Sequence, residues 1–209
     1  QTSKQFSRYI SSTLKMADRI KKYPKFTNSA FWQRKMKTSF RNFDKNNNKV
    51  LNEEDFRLIA ELMVAGHKLE GAPADELRGH VKSVWKTLIS DIHGNGTNTK
   101  VTEEEFIKSA GDNATSGKLQ NALVNLASVI VKTMDVDGDG LISRKEFAVF
   151  SDSFGTHQYH GDILFDIMDK DGDGKISNDE FLDSFYDFYL NEDTASPFKV
   201  FRGALIPLE

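Results

Sequence analysis

The stretch D135-V-D-G-D-G-L-I-S-R-K-E146-F147 decides how this chain is read. Three aspartates alternate with other residues, a glycine follows the third, and a glutamate closes the run. Carboxylates packed this closely repel one another unless a positive charge sits among them. A solvated acidic loop needs neither the alternation, nor the glycine, nor a glutamate at a fixed distance. The pattern therefore implies a loop folded around a cation.

Asp135, Asp137 and Asp139 fall at positions 1, 3 and 5 of a twelve-residue frame, Gly140 at 6 and Glu146 at 12. This is the EF-hand pattern D-x-D-x-D-G-x5-E. A tight loop turns the first three side chains onto one centre, and glycine at position 6 supplies a positive φ. The carbonyl at position 7, here Leu141, adds an oxygen; Ser143 at position 9 can hold a water; Glu146 at position 12 binds with both oxygens. Hard oxygen donors in this number suit calcium. The same frame recurs 34 residues on, in "DKDGDGKISNDEF". Asp169, Asp171, Asp173 and Glu180 take the carboxylate positions, Gly174 the turn, Lys175 the carbonyl and Ser177 the water position. Ile142 and Ile176, both at position 8, are expected to pair as a short antiparallel ribbon.

Upstream, "FDKNNNKVLNEEDF" supplies Asp44, Asn46, Asn48, the Val50 carbonyl, Asn52 and Asp55 in the same register. Position 6 is Lys49, and a non-glycine residue at positive φ costs on the order of 1 kcal/mol. Position 12 is Asp, one methylene short of a glutamate. This loop is expected to bind more weakly, or with more tolerance of magnesium. A fourth copy, "GNGTNTKVTEEEF", keeps Val101 at position 8 and Glu105 at position 12, but has Gly94 and Gly96 where oxygen ligands belong, so it is not expected to bind. A hydrophobic frame ties the four together. Phe56, Phe106, Phe147 and Phe181 each follow a loop at once, and Phe40 and Phe165 lie four residues before position 1.

Around the loops the chain reads as helical. Leu119, Leu123, Leu126, Ile130 and Met134 recur at helical spacing into the third loop, and Phe181, Phe185, Tyr186, Phe188 and Tyr189 line the helix after the fourth. Gly71-Ala-Pro73 marks a turn between the first two hands. The fold expected is all-α, with four EF-hands in two packed pairs and an extra N-terminal helix. The organisation expected is a basic arm over 1–27, a first pair of hands over 28–112, a second over 113–190, and an apolar tail over 191–209 that packs back on the body. The arm carries seven Lys and Arg against one acid, and Phe6, Ile10, Leu14 and Ala17 repeat at helical spacing in it.

Composition narrows the function. Cysteine is absent, which excludes disulfides, thiolate metal sites and a cysteine nucleophile. A formal net charge of −3 gives no argument for nucleic acid. No apolar stretch is long enough to span a bilayer. No catalytic constellation stands out, because the closely spaced acids are already used by the loops. His67, His80 and His93 read as surface or helix-end residues, and the sequence HQYH at 157–160 as the start of a helix.

Three features point to one branch of the EF-hand proteins: "FWQRKMKTSFRNFD" at 31–44, Asp55 closing the first loop, and "FYLNEDTASPFKVFRGALIPLE" at 188–209. With four hands, a degenerate second one and a long first half, the chain resembles the invertebrate sarcoplasmic calcium-binding proteins over residues 29–209. The resemblance implies a compact, monomeric, cytoplasmic buffer of calcium and magnesium, with three working sites. The same architecture is similar to that of the coelenterazine-binding proteins. Their likeness implies an alternative function, calcium-triggered release of a small hydrophobic ligand. A third alternative is a calcium sensor that uses the basic arm to bind a partner; five Met residues give no Met-rich groove for it. The basic arm and Lys49 depart from the family pattern.

Overall fold

The computed structural model describes residues 27–93, 99–116 and 119–207. The helix expected over the basic arm lies, but for Thr27, outside these residues. The described elements are α1 (Ala30–Phe43), β1 (Val50–Leu51), α2 (Glu53–His67), α3 (Gly71–His93), β2 (Val101–Thr102), α4 (Glu103–Ser116), α5 (Leu119–Met134), β3 (Leu141–Ser143), α6 (Arg144–Ser153), α7 (Gln158–Met168), β4 (Lys175–Ser177) and α8 (Asn178–Leu190), with a 3-10 turn at Pro197–Val200. The fold is all-α with EF-hand pairs, as the sequence implies.

The two short ribbons join the hands in pairs. β3 and β4 are antiparallel with Ile142 opposite Ile176. β1 and β2 are antiparallel with Leu51 opposite Val101, which are the position-8 residues of the first loop and of the degenerate one. The degenerate hand thus keeps its place in the fold while its sequence has lost oxygen ligands at 94 and 96.

The helix starts are written into the loops. Ser143 caps α6 and Ser177 caps α8, and in each case the glutamate three residues on completes a capping box. Asn52 and Asp55 do the same for α2. A cap of this kind contributes about 1 kcal/mol. Positions 9 and 12 of each loop therefore also fix where the exiting helix begins and which way it points.

The recurrent phenylalanines meet where the frame predicts core. Phe40 packs edge-on to Phe106 at 5.9 Å, joining the first and second hands, and Phe147 to Phe165 at 5.9 Å, joining the third and fourth. Such pairs are worth about 0.5–1.5 kcal/mol beyond their burial. The pairs of hands also meet one another: Phe43, one residue before the first loop, contacts Phe154 at the end of α6 with ring centroids 5.9 Å apart. Trp32, Met36, Phe40 and Phe43 form the buried stripe of α1 at helical spacing.

The tail returns over the body. Phe201 is buried against Phe181, Phe185 and Phe188. Beyond it, Arg34 donates from Nε to the Ile206 carbonyl at 2.8 Å, and Ile206 N–H donates to Thr38 Oγ1 at 3.2 Å. Asn42 donates to the Arg202 carbonyl. Three polar residues one turn apart on α1 thus hold the strap in place, because an irregular segment packed on a helix must find partners for its backbone.

A lysine and an arginine are buried where sequence reading puts charge on the surface. Lys35, 1% exposed, donates to the Phe188 carbonyl and, at 2.5 Å, to that of Asn191, and so caps the C-terminal end of α8. Burial holds its pKa down at about 8, against the opposing pull of Asp187 and Glu192. Arg202, 2% exposed, lies over the rings of Phe43, Phe154 and Phe201, with Nε and Nη2 lacking hydrogen-bond partners. His67 is the last residue of α2, a helix-end place as the sequence suggests, and is half-buried there with Nε2 unpartnered. His157 caps α7, where the HQYH stretch was expected to start a helix.

Candidate metal centres

Three loops share one backbone path. Positions 4 and 6 lie in the left-handed region in each: Asn47 and Lys49 in the first, Gly138 and Gly140 in the third, Gly172 and Gly174 in the fourth. Lys49, with φ +66°, adopts the turn that Gly140 makes at +85° and Gly174 at +83°. The departure from glycine at position 6 therefore costs strain without changing the path.

One ladder of hydrogen bonds sets the inward side chains. The position-1 aspartate accepts from the position-6 N–H: Asp44 from Lys49 at 2.8 Å, Asp135 from Gly140 at 3.1 Å, Asp169 from Gly174 at 3.0 Å. Position 3 accepts from position 5, and position 5 from position 7; Asp139 Oδ1 takes the Leu141 N–H at 2.8 Å and Asp173 Oδ1 that of Lys175 at 2.8 Å. Asn46 and Asn48 make the same bonds in the first loop as the aspartates make in the others. Side-chain carbonyl and carboxylate are interchangeable for this purpose, though not for charge.

The twelfth residue closes each loop from beneath. Glu146 Oε1 accepts from Val136 N–H at 2.9 Å, and Oε2 from the N–H and hydroxyl of Ser143 at 2.8 and 2.6 Å. Glu180 repeats this with Lys170 and Ser177. Burial acts to raise the carboxyls of Glu146 and Glu180, but these hydrogen bonds outweigh it and hold both below the usual range. Asp55 is shorter yet makes the same closure, accepting from Lys45 N–H at 3.1 Å and Asn52 N–H at 3.0 Å. Here burial prevails, and the Asp55 carboxyl is pushed up in spite of its hydrogen bonds.

Ser143 and Ser177, at position 9, each donate from the hydroxyl to the glutamate of their own loop, at 2.6 and 2.7 Å. In the degenerate hand, Glu105 is held by the N–H and hydroxyl of Thr102 at 2.8 and 2.9 Å. Residues 94–98, which contain its first five loop positions, lie outside the described residues.

The loops differ in what is left over. Asp135, Asp137 and Asp139 bring carboxylate oxygens within 4.8 Å of one another, as do Asp169, Asp171 and Asp173. Asp135 Oδ1 and Asp169 Oδ1 are buried with no hydrogen-bond partner. An unpartnered buried oxygen costs about 1–3 kcal/mol, and more when charged. Burial also pushes the Asp135 carboxyl up. A cation among the three carboxylates removes both penalties, so these residues fit a hard divalent ion. In the first loop nothing is left over: Asp44 Oδ1 accepts from Asn48 N–H at 3.0 Å while Oδ2 takes Lys49.

Comparison with known proteins finds EF-hand pairs from residue 97 onward. Residues 126–186 and residues 97–153 each match the family described as an EF-hand domain pair. A sarcoplasmic calcium-binding protein of Hediste diversicolor is 30% identical over 178 residues, which cover 85% of this chain and 100% of that one. A luciferin-binding protein of Renilla reniformis is 29% identical over 128 residues, 60% of this chain and 67% of that one. Among solved structures, a coelenterazine-binding protein from Renilla muelleri in its calcium-loaded apo form superposes with a TM-score of 0.73 at 26% identity, covering 84% of this chain and 97% of that one.

Proposed function

Because the chain belongs to the sarcoplasmic calcium-binding protein family, an EF-hand family whose members bind calcium, we propose that it is a cytoplasmic calcium and magnesium buffer that acts as a monomer and catalyses no reaction. Three loops carry the ions. Asp135, Asp137, Asp139, the Leu141 carbonyl and Glu146 hold one; Asp169, Asp171, Asp173, the Lys175 carbonyl and Glu180 hold the second. Asp44, Asn46, Asn48, the Val50 carbonyl and Asp55 hold the third, with magnesium competing most there. The observation that carries this reading is the unpartnered, buried Oδ1 of Asp135 and of Asp169, each beside two further carboxylates. The first loop, with two carboxylates and no oxygen left over, is the weakest. A buffer needs no surface that opens, and the strap bonded to α1 favours one that stays closed. No helix among the described residues is long and apolar enough to cross a membrane.

A second reading has its own support. The likeness to the luciferin-binding and coelenterazine-binding proteins favours a calcium-triggered carrier of a small hydrophobic ligand. Native mass spectrometry of protein from its own source, with and without calcium, separates the two. Three calcium ions and no other mass support the buffer. Two ions remove the first loop from the assignment. An organic mass that leaves when calcium is added replaces the buffer with the carrier.

A further inference from the structure

Lys175 has two chemically separate parts. Its carbonyl belongs to the last loop, at position 7. Its side chain crosses the ribbon, where Lys175 lies opposite Ser143, and its ammonium group meets Asp139 Oδ2 at 2.6 Å. Asp139 is position 5 of the other loop, and its Oδ1 already accepts from Leu141 N–H. Both oxygens of one inward carboxylate are thus engaged, one of them by a full positive charge. The arrangement is not reciprocal. Leu141, at position 7 of the third loop, has no charge to offer Asp173 in the fourth.

We infer that Lys175 is an affinity-setting residue of the neighbouring loop: its ammonium group holds the loop at 135–146 weaker for calcium than the loop at 169–180, so that the fourth hand fills before the third. This rests on the ligand assignment proposed above. The pair itself adds little to stability, since both side chains are more than a third exposed. Its effect is on the ion. A divalent cation entering beside Asp139 must displace the ammonium group or tolerate a like charge a few ångströms away, and either weakens binding. Salt screens this repulsion.

The test reads the two loops separately. Calcium titrations are made in the Glu180→Gln chain, whose tighter phase reports the third loop, and in the Glu146→Gln chain, whose tighter phase reports the fourth, the first loop being the weakest of the three. Adding Lys175→Met to Glu180→Gln is expected to tighten the third loop about threefold to tenfold at low salt, with the gain shrinking at high salt. Lys175→Arg, which keeps the charge, is expected to leave it near the Glu180→Gln value. In the Glu146→Gln chain the Lys175→Met gain is expected to be smaller. An unchanged or weaker third loop, or a larger gain at the fourth, overturns the inference while leaving the ligand assignment intact. Failure is attributable to the assignment itself if the Glu180→Gln and Glu146→Gln chains each bind as many ions, as tightly, as the unaltered chain. Helical content by circular dichroism confirms that each variant is folded.

Discussion

Gly66 of α2 lies against Val149 of α6 so closely that a Cβ built on it falls 2.7 Å from Val149 Cγ1. α2 and α6 are the exiting helices of the first and third loops, and each starts at the capping box that its own position-12 residue completes. The two pairs of hands are therefore joined helix to helix, at a contact that permits no extra carbon without movement.

That contact predicts a reversal of sign. In an open helix, Gly→Ala stabilises by roughly 1 kcal/mol. Here Gly66→Ala is expected to destabilise by about 1–3 kcal/mol, because a stiff β-branched side chain stands in the way. In a Val149→Ala background the same change is expected to become neutral or stabilising. Urea denaturation of the four chains measures the coupling; a Gly66→Ala effect that is the same in both backgrounds rejects the contact.

Glu146→Gln is expected to lower calcium affinity at the third loop at least about tenfold. The glutamate accepts at both oxygens, from Val136 on one side and Ser143 on the other. An amide can accept on one side only, so the variant loses both the charge and half of the closure. Isothermal titration should show one tight ion fewer. Unchanged stoichiometry and affinity would sink the placement of Glu146 at the ion.

How much of this was legible in sequence follows from which forces act locally. Loop path, helix starts and ribbon register depend on residues within one twelve-residue frame, so the spacing of Asp135, Gly140, Ser143 and Glu146 carries them. Val101 and Phe106 kept the degenerate hand recognisable for the same reason. Lys35, Arg202 and Gly66 were missed because their roles depend on contacts across long stretches of chain: with α8, with three phenylalanine rings and with α6. Lys35 did leave a trace, since it falls on the Trp32–Met36–Phe40 face, where a charged side chain is out of place. Lys175 left none, as only the three-dimensional ribbon shows which carboxylate it meets.

Lys35 predicts a pH dependence. Its pKa is about 8 in the folded chain against an ordinary 10.5, chiefly because it is buried. Between those values the unfolded chain binds more protons than the folded one, so stability rises with pH across the window. Below about 8 the full cost of the buried charge is present. The difference in unfolding free energy between the unaltered chain and Lys35→Met is expected to shift in favour of the lysine by up to about 3 kcal/mol from pH 7.5 to 10.5. Denaturant melts in chelator at the two pH values read this directly, and a flat difference would mean that the ammonium group is better solvated than its position implies.

Asp55 is expected to decide which ion the first loop prefers. It is fully buried, and its two oxygens already accept from Lys45 and Asn52 at opposite ends of the loop. A side chain this short reaches the centre with one oxygen more readily than with two. Calcium takes six to eight oxygens at about 2.3–2.6 Å, whereas magnesium requires six at about 2.0–2.1 Å. One-oxygen closure therefore favours the smaller ion, and Asp55→Glu is expected to move the loop toward calcium. The frame has room in principle, since Glu146 makes the same closure in the third loop at 5% exposure. The added methylene must still be accommodated beside Phe56, so a stability loss of about 1–2 kcal/mol is expected in the metal-free state. The measurement is calcium titration with and without millimolar magnesium. In the unaltered chain magnesium should weaken the calcium affinity of this loop strongly; in Asp55→Glu that competition should fall by about fivefold or more. Equal competition in both chains would place the selectivity elsewhere in the loop, with Asn46 and Asn48, where neutral oxygens replace carboxylates, as the next residues to exchange.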